Sequence, residues 1–172
     1  MEHAELREVS ERMPNGDGQI VHTRLGEPGR SWWGPGDMYT ALVTGAESNG
    51  AMFALDCVVG VGGGPPPHRH MAEDELFTIT SGNVSFAADG AKRVLYAGES
   101  IFVPRGVAHS YTNDGPDAAR MIAVYTPAGM EGWFREVYPE VEDASGPPPP
   151  VTEEMLELMR AAGPRYSIEW LD

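Results

Sequence analysis

Four side chains suited to binding a metal ion lie in two short blocks of this 172-residue sequence. The first block, GGGPPPHRHMAEDELFTITSG, contributes His68, His70 and Glu75, and the second, GESIFVPRGVAHSYTN, contributes His109. Imidazole nitrogen suits zinc, copper, iron and nickel, and carboxylate oxygen also suits manganese. The four residues therefore indicate a site for one divalent transition metal, and they do not distinguish between iron, manganese, nickel, copper and zinc.

Strand geometry explains how these side chains can meet. His68 and His70 are two residues apart, so on a β-strand they point to the same face, with Cα atoms roughly 6.6 Å apart. Glu75 lies an odd number of residues beyond His70, and an uninterrupted strand would turn it to the opposite face. We therefore predict a turn or bulge within residues 71–74, after which Glu75 faces inward again. His109 is expected to come from a different strand.

Aromatic and apolar residues continue these inward faces. Seven side chains are expected to point into one interior: His68, His70, Glu75, Phe77, Ile79, His109 and Tyr111. An aromatic substrate could then contact a wall formed by Phe53, Phe77, Phe102, Tyr111 and Tyr125. The simpler interpretation is that each of these rings only fills the core.

The elements that must position the ligands are predicted to be short strands. The chain contains 21 glycines and 15 prolines, which interrupt helices and favour tight turns. Apolar and β-branched runs separated by turn residues predict strands at 19–25, 37–44, 51–61, 75–80, 83–88, 91–96, 100–103, 108–112 and 120–126. This spacing predicts an all-β sandwich or barrel, and the lack of alternating helices excludes a doubly wound α/β fold.

The C-terminal part of the chain is predicted to be helical. Residues 130–137 are expected to form one or two helical turns, and residues 152–162 a longer helix. One face of the longer helix carries an apolar stripe formed by Met155, Leu158, Met159 and Ala162. We expect this stripe to pack against the barrel or against a second copy of the chain.

A segment rich in glycine and proline precedes the strands and carries Trp32 and Trp33. We interpret it as a loop that exposes both tryptophans, either as a lid over the barrel mouth or as part of an interface. Together with an edge strand at residues 19–25, it suggests a homodimer.

The composition limits the partners and the location of the protein. The net charge is −14, which disfavours binding to nucleic acid and to anionic membrane surfaces. Cys57 is the single cysteine, so no intrachain disulfide can form. The sequence shows no leader-like apolar stretch and no apolar run of the roughly 20 residues that a membrane span needs. The predicted location is cytoplasmic, and the predicted partner is a small-molecule substrate.

The two blocks follow regular spacings, G-x5-H-x-H-x4-E-x6-G from Gly62 to Gly82 and G-x5-P-x-G-x2-H-x3-N from Gly98 to Asn113. In these blocks the chain resembles the cupin superfamily, whose two signature motifs it matches at every position. The resemblance implies a double-stranded β-helix, also called a jelly-roll or cupin barrel, and it implies the metal ligands at His68, His70, Glu75 and His109.

The resemblance also implies a domain organisation. Residues 1–172 would form a single cupin domain with a barrel core at about 37–126. A tail with short helices would follow at about 128–172.

Within the superfamily, this layout is similar to that of the quercetinase-type flavonol dioxygenases. The similarity implies an oxidoreductase that acts on a small aromatic or phenolic, flavonol-like substrate, with Glu75 as the catalytic residue that takes the substrate proton. Two alternatives stay open. One is a non-redox metal-dependent cyclase, isomerase or hydrolase of a small carbonyl or polyketide-like substrate. The other is a non-catalytic cupin that only binds a small molecule.

Overall fold

Two antiparallel β-sheets dominate the structure, a computed structural model that describes residues 20–146 and 151–171. The first sheet runs in the order β1 (Ser31–Trp33), β2 (Asp37–Val43), β3 (Phe53–Val59), β10 (Ala119–Thr126), β5 (Asp74–Ser81) and β8 (Ser100–Val103). The second runs in the order β11 (Ile168–Trp170), β4 (His68–His70), β9 (His109–Thr112), β6 (Asn83–Ala88) and β7 (Ala91–Tyr96). The predicted all-β, double-stranded β-helix is thus confirmed, with short helices in the C-terminal part.

Side chains from both sheets share one core. Phe77 of β5 and Phe86 of β6 are almost fully buried, and their ring centroids lie 5.1 Å apart. Ile79 and Val84 belong to the same cluster. Burying one large apolar side chain contributes roughly 1.5–3 kcal/mol, so this shared core is the main force that holds the two sheets together.

The strands that carry the potential ligands alternate as predicted. On β5, Glu75, Phe77 and Ile79 are buried while Leu76 is exposed, and on β9 His109 and Tyr111 are buried. Successive side chains of a strand point to opposite faces, so these buried positions line the interior of the barrel.

The predicted break in strand register between His70 and Glu75 is also confirmed. Residues 71–73 form a bend, and β5 begins at Asp74, one residue earlier than predicted. A hydrogen bond joins the turn before β9 to the end of β4: the backbone N–H of Gly106 donates to the carbonyl of His70 at 2.7 Å.

Most predicted strand boundaries agree with the structure to within two residues, and those of β6, β7 and β8 coincide with it. One prediction is wrong: residues 20–25 form a turn-containing segment without a strand, and residue 19 lies outside the described ranges. Alternation alone indicated a strand there, but no strand within residues 20–146 and 151–171 pairs with this segment to stabilise it.

The interpretation of Trp32 and Trp33 as an exposed loop is wrong as well. Both belong to β1, which pairs with β2, with Ser31 opposite Thr40. Trp32 is buried, its ring 6.2 Å from that of Phe134, and Trp33 is half-buried. Pairing with β2 and burial against the tail outweigh the turn-forming residues on either side.

The tail folds back onto the barrel through both predicted helices, α1 (Glu131–Val137) and α2 (Glu153–Ala162). The hydroxyl of Thr152 accepts a hydrogen bond from the backbone N–H of Met155, which caps α2. The predicted apolar stripe is only partly buried: Met159 and Ala162 are enclosed, whereas Leu158 is exposed.

The α2 helix ends at Ala162, as predicted, but the segment that follows it was not predicted. Gly163 and Pro164 end the α-helix but continue as a 3₁₀ turn, Gly163–Tyr166. The chain then adds β11, which was not predicted and which pairs with β4 so that Trp170 lies opposite His68. Within residues 20–146 and 151–171, neither helix is long and apolar enough to cross a membrane.

Candidate metal centre

Three histidines from two paired strands converge inside the barrel. His68 and His70 come from β4, and His109 of β9 lies directly opposite His68. One nitrogen of each ring lies within 4.8 Å of the corresponding nitrogens of the other two, and all three residues are buried. Such a spacing allows one ion to contact all three rings.

Glu75 extends this cluster with a carboxylate. Its Oε2 lies 3.0 Å from Nε2 of His109, and its Oε1 lies 3.5 Å from Nε2 of His70. The side chain is 2% exposed, so its negative charge is held away from water and close to the rings. The structure thus brings all four sequence-predicted ligands to one place.

Backbone hydrogen bonds orient two of the rings. Nδ1 of His68 lies 2.8 Å from the carbonyl oxygen of Pro66, and Nδ1 of His109 lies 3.1 Å from that of Val107. A carbonyl accepts, so each neutral ring carries its proton on Nδ1 and keeps a lone pair on Nε2. Nε2 is therefore the atom that His68 and His109 offer to a metal.

Unsatisfied polar atoms show that the site fits a cation. Within the described parts of the chain, Oε1 of Glu75 and Nε2 of His109 are buried and lack an aligned hydrogen-bond partner. Buried polar atoms are nearly always paired in native structures. A divalent transition metal among them would accept electron pairs from the nitrogen and oxygen atoms that now lack partners.

The protonation states favour metal binding. Burial, reinforced by nearby His109, lowers the pKa of His68 to about 3, and burial also lowers the pKa of His70 well below its usual value. Burial raises the pKa of Glu75, although His109 opposes this effect. Burial lowers the pKa of His109, but the Glu75 carboxylate outweighs it, so that pKa is raised. At neutral pH, His68 and His70 therefore already have the neutral form that binds a metal.

We predict that metal uptake at a pH below the raised pKa of His109 displaces about one proton per site, from the Glu75–His109 pair. Because a proton on His109 excludes the metal and its pKa is raised, affinity should fall as the pH drops through that raised pKa, by about tenfold per pH unit. Calorimetric titration with Zn²⁺ in buffers of different ionisation enthalpy measures the protons released. Release of about three protons would contradict the neutral state of His68 and His70.

A small cavity adjoins the cluster. Its free volume is about 30 Å³, which is room for roughly one or two water molecules. The barrel wall contributes Phe77, Tyr111 and Tyr125, as the sequence predicted. The tail closes the opposite side with Met130, Trp133, Phe134, Tyr138, Ile168 and Trp170.

Two residues predicted to contact substrate lie elsewhere. Phe53 is fully buried in the core, with ring centroids 5.9 Å from Tyr125 and 5.6 Å from Phe134, and it does not line the cavity. Phe102 is 60% exposed on the outer face of β8, because the neighbouring Val103 takes the inward position. The predictions for Phe53 and Phe102 are corrected accordingly.

A buried hydrogen-bonded chain in the cavity wall was not predicted. The hydroxyl of Tyr39 donates to Oδ2 of Asp37 at 2.8 Å and lies 3.2 Å from the hydroxyl of Tyr111. Asp37 is 1% exposed, and burial raises its pKa to about 7 despite the hydrogen bond from Tyr39. The i, i+2 spacing of Asp37 and Tyr39 on a predicted strand was the available signal, because it places both side chains on one face.

Comparison with known proteins supports the description of the fold. Residues 55–125 match the family model of the cupin domain. An uncharacterized protein of Aquifex aeolicus is 31% identical over 62 residues, which is 36% of this chain and 50% of that protein, so the chain spans about half the length of that relative.

Two solved structures share the fold. A predicted oxalate decarboxylase of Thermotoga maritima has a TM-score of 0.56 and 22% identity, covering 63% of this chain and 99% of that one. The polyketide cyclase RemF of Streptomyces resistomycificus has a TM-score of 0.54 and 18% identity, covering 63% of this chain and 80% of that one. At these identities the similarity concerns the fold alone.

Proposed function

We propose that this chain is a metal-dependent dioxygenase of a small phenolic substrate, because residues 55–125 match the cupin domain and the barrel brings three histidines and a glutamate together. The observation that carries this proposal is the position of the four residues: they border a small cavity with aromatic walls. Such surroundings suit an aromatic ring with one hydroxyl directed at a metal.

His68 and His109 would bind the metal through Nε2, together with His70 and Glu75. When bound, a redox-active divalent metal lowers the pKa of a substrate hydroxyl and makes reaction with dioxygen possible. Glu75 takes the hydroxyl proton in this proposal. Its raised pKa supports that role, because a carboxylate that accepts a proton more readily than usual is a better base near neutral pH.

The cavity wall would orient the substrate ring. Phe77 and Tyr125 offer ring surfaces, and Tyr111 adds a hydroxyl. When Asp37 is ionised, Tyr39 donates to it, so the oxygen of Tyr39 accepts from Tyr111. The hydroxyl oxygens on this wall then have lone pairs available for a donor on the substrate.

The cavity is too small for the proposed substrate unless part of its wall moves. With a free volume of about 30 Å³, the cavity does not hold a phenol ring. Trp133 and Phe134 of α1 form the side of the cavity that can be displaced, since Trp170 and the residues of the barrel wall belong to paired strands. The proposal therefore includes a displacement of the tail when substrate enters, as in enzymes whose closing segments exclude water from the reaction.

A second candidate is a non-redox cyclase, isomerase or hydrolase of a small carbonyl compound. The Asp37–Tyr39–Tyr111 chain favours it, because an acid with a pKa of about 7 that is connected to the cavity by two hydroxyls can exchange a proton with a carbonyl substrate. This reaction would use a metal only to polarise the carbonyl.

The deciding experiment combines metal analysis with turnover. Protein purified without added metal is analysed for iron, manganese, nickel, copper and zinc, and oxygen uptake is then measured with a flavonol and with a single-ring catechol. Oxygen uptake that tracks iron, manganese, nickel or copper content supports the dioxygenase. Zinc with turnover of a carbonyl compound and no oxygen uptake supports the second candidate. Binding without turnover would instead indicate a non-catalytic cupin and contradict both.

The homodimer and the cytoplasmic location stay predictions. Trp32 is buried and residues 20–25 form no strand, so the two features that suggested a dimer do not supply its surface. Leu76 and Phe102, which are paired neighbours exposed on the outer face, offer an apolar surface instead. Light scattering measures the mass in solution against the 18.6 kDa of one chain.

A further inference from the structure

His70 differs from the other two histidines of the cluster. His68 and His109 each direct Nδ1 at the carbonyl oxygen of the residue two positions earlier, Pro66 and Val107. Nδ1 of His70 is buried and has no hydrogen-bond partner among the residues that the structure describes. A ring that binds a metal through Nε2 almost always donates its other N–H to a carbonyl, carboxylate or water.

Glu73 lies next to the His70 ring, on the side of Nδ1. It belongs to the bend between β4 and β5 and is 5% exposed. Its Oε2 is 3.8 Å from Nδ1 of His70, and this oxygen also has no hydrogen-bond partner in the described part of the chain. Two buried atoms of complementary chemistry thus face each other, and a movement of less than about 1 Å would bring them to hydrogen-bond distance.

Gly129 leaves the space that this carboxylate occupies. A Cβ atom at position 129 would lie 3.2 Å from Oε1 of Glu73, which is closer than ordinary van der Waals contact. The carboxylate is therefore enclosed between the tail and His70 rather than directed into solvent.

We propose that Glu73 is a positioning residue of the metal centre, whose carboxylate accepts the Nδ1–H of His70 and directs Nε2 of that ring at the metal. This role rests on the proposed metal site, since it has no purpose without one. The carboxylate replaces the backbone carbonyl that serves His68 and His109, and its negative charge makes the His70 ring a stronger electron-pair donor.

The test uses Co²⁺, whose visible absorption reports the geometry and donors of its site. Affinity is measured by competition with a chelator, and the spectrum is recorded at saturation, for the wild type, Glu73→Ala and Glu73→Gln. Asp74→Asn is the matched control: it removes the neighbouring carboxylate, which is paired with Arg105 on the outside of the barrel. Circular dichroism checks that each variant is folded.

We expect Glu73→Ala to weaken Co²⁺ binding by about 10–100-fold and to shift the absorption bands, because the His70 ring loses its orientation. Glu73→Gln keeps an accepting oxygen and should restore most of the spectrum but not all of the affinity. Asp74→Asn should leave both unchanged.

Three outcomes would overturn the role of Glu73. Affinity and spectrum equal to those of the wild type in Glu73→Ala would show that the carboxylate does not act on His70. A loss of binding as complete as that of a ligand variant would make Glu73 a direct ligand rather than a positioning residue. Failure of the wild type itself to bind Co²⁺ would instead remove the metal site, and the proposed function with it.

Discussion

Replacing His109 with alanine should weaken metal binding by more than about 100-fold, which exceeds the usual effect of residues that only orient a ligand. His109 is one of the three clustered histidines and the one whose Nε2 approaches the Glu75 carboxylate most closely, at 3.0 Å. Its removal deletes one electron-pair donor and leaves that carboxylate without its nearest partner.

The fold should survive this change. The two sheets are held together by apolar side chains such as Phe77 and Phe86, and the backbone pairing of β9 with β6 does not involve the imidazole. Metal content per chain and circular dichroism test both parts of the prediction. His22→Ala is the control, because His22 is exposed and lies outside the cluster. Unchanged metal stoichiometry in His109→Ala would mean that the metal binds elsewhere.

Phe53→Ala should lower the free energy of unfolding by about 3–5 kcal/mol, the usual cost of deleting a buried aromatic ring. Phe53 is fully buried and packs against the rings of Tyr125 and Phe134, so alanine leaves a cavity between the barrel and the tail. Phe102→Ala provides a matched comparison, because the same substitution at a residue that is 60% exposed should change stability by less than about 0.5 kcal/mol.

Urea denaturation of the two variants and the wild type measures both effects. Because a fall of this size can approach the whole stability of a domain, Phe53→Leu serves as a milder variant with a proportionally smaller loss. A Phe102→Ala variant that is as destabilised as Phe53→Ala would show that the outer face of β8 is covered, for example by a second copy of the chain.

These two phenylalanines also show how far the sequence predicts the fold. The boundaries of β8 were predicted correctly, since turn residues mark both ends, but its run of Ile101, Phe102 and Val103 has no polar residue to show which side faces solvent. Only its pairing with β5 decides that Phe102 points outward. Local sequence therefore predicts the strand, and the neighbouring strand determines its orientation.

The two strands that the sequence missed are short and depend on pairing with another strand. β1 is three residues long and exists through its pairing with β2, and β11 exists through its pairing with β4. The position of Trp170 beside His68, with ring centroids 5.3 Å apart, follows from that second pairing. No local pattern predicts either strand. β11 and its partner β4 are far apart in the chain, and β1 is surrounded by turn residues.

The candidate site was easier to predict than the cavity around it. Strand alternation and the broken register after His70 account for the convergence of the four candidate ligand side chains. The Asp37–Tyr39–Tyr111 chain and the tail residues that close the cavity depend on packing between distant elements. In the proposed function these residues select the substrate, and for that reason the sequence indicates the position of the candidate site better than it indicates a reaction.

We expect one transition metal to bind between His68, His70, Glu75 and His109. Anomalous X-ray scattering from a crystal of metal-loaded protein, recorded above and below the absorption edge of the metal, locates the ion directly. We expect one anomalous peak inside the barrel, roughly 2.0–2.2 Å from Nε2 of the histidines and from a carboxylate oxygen of Glu75. A metal-loaded crystal with no peak there, or with its peak at another site, would show that these four residues do not form the metal site.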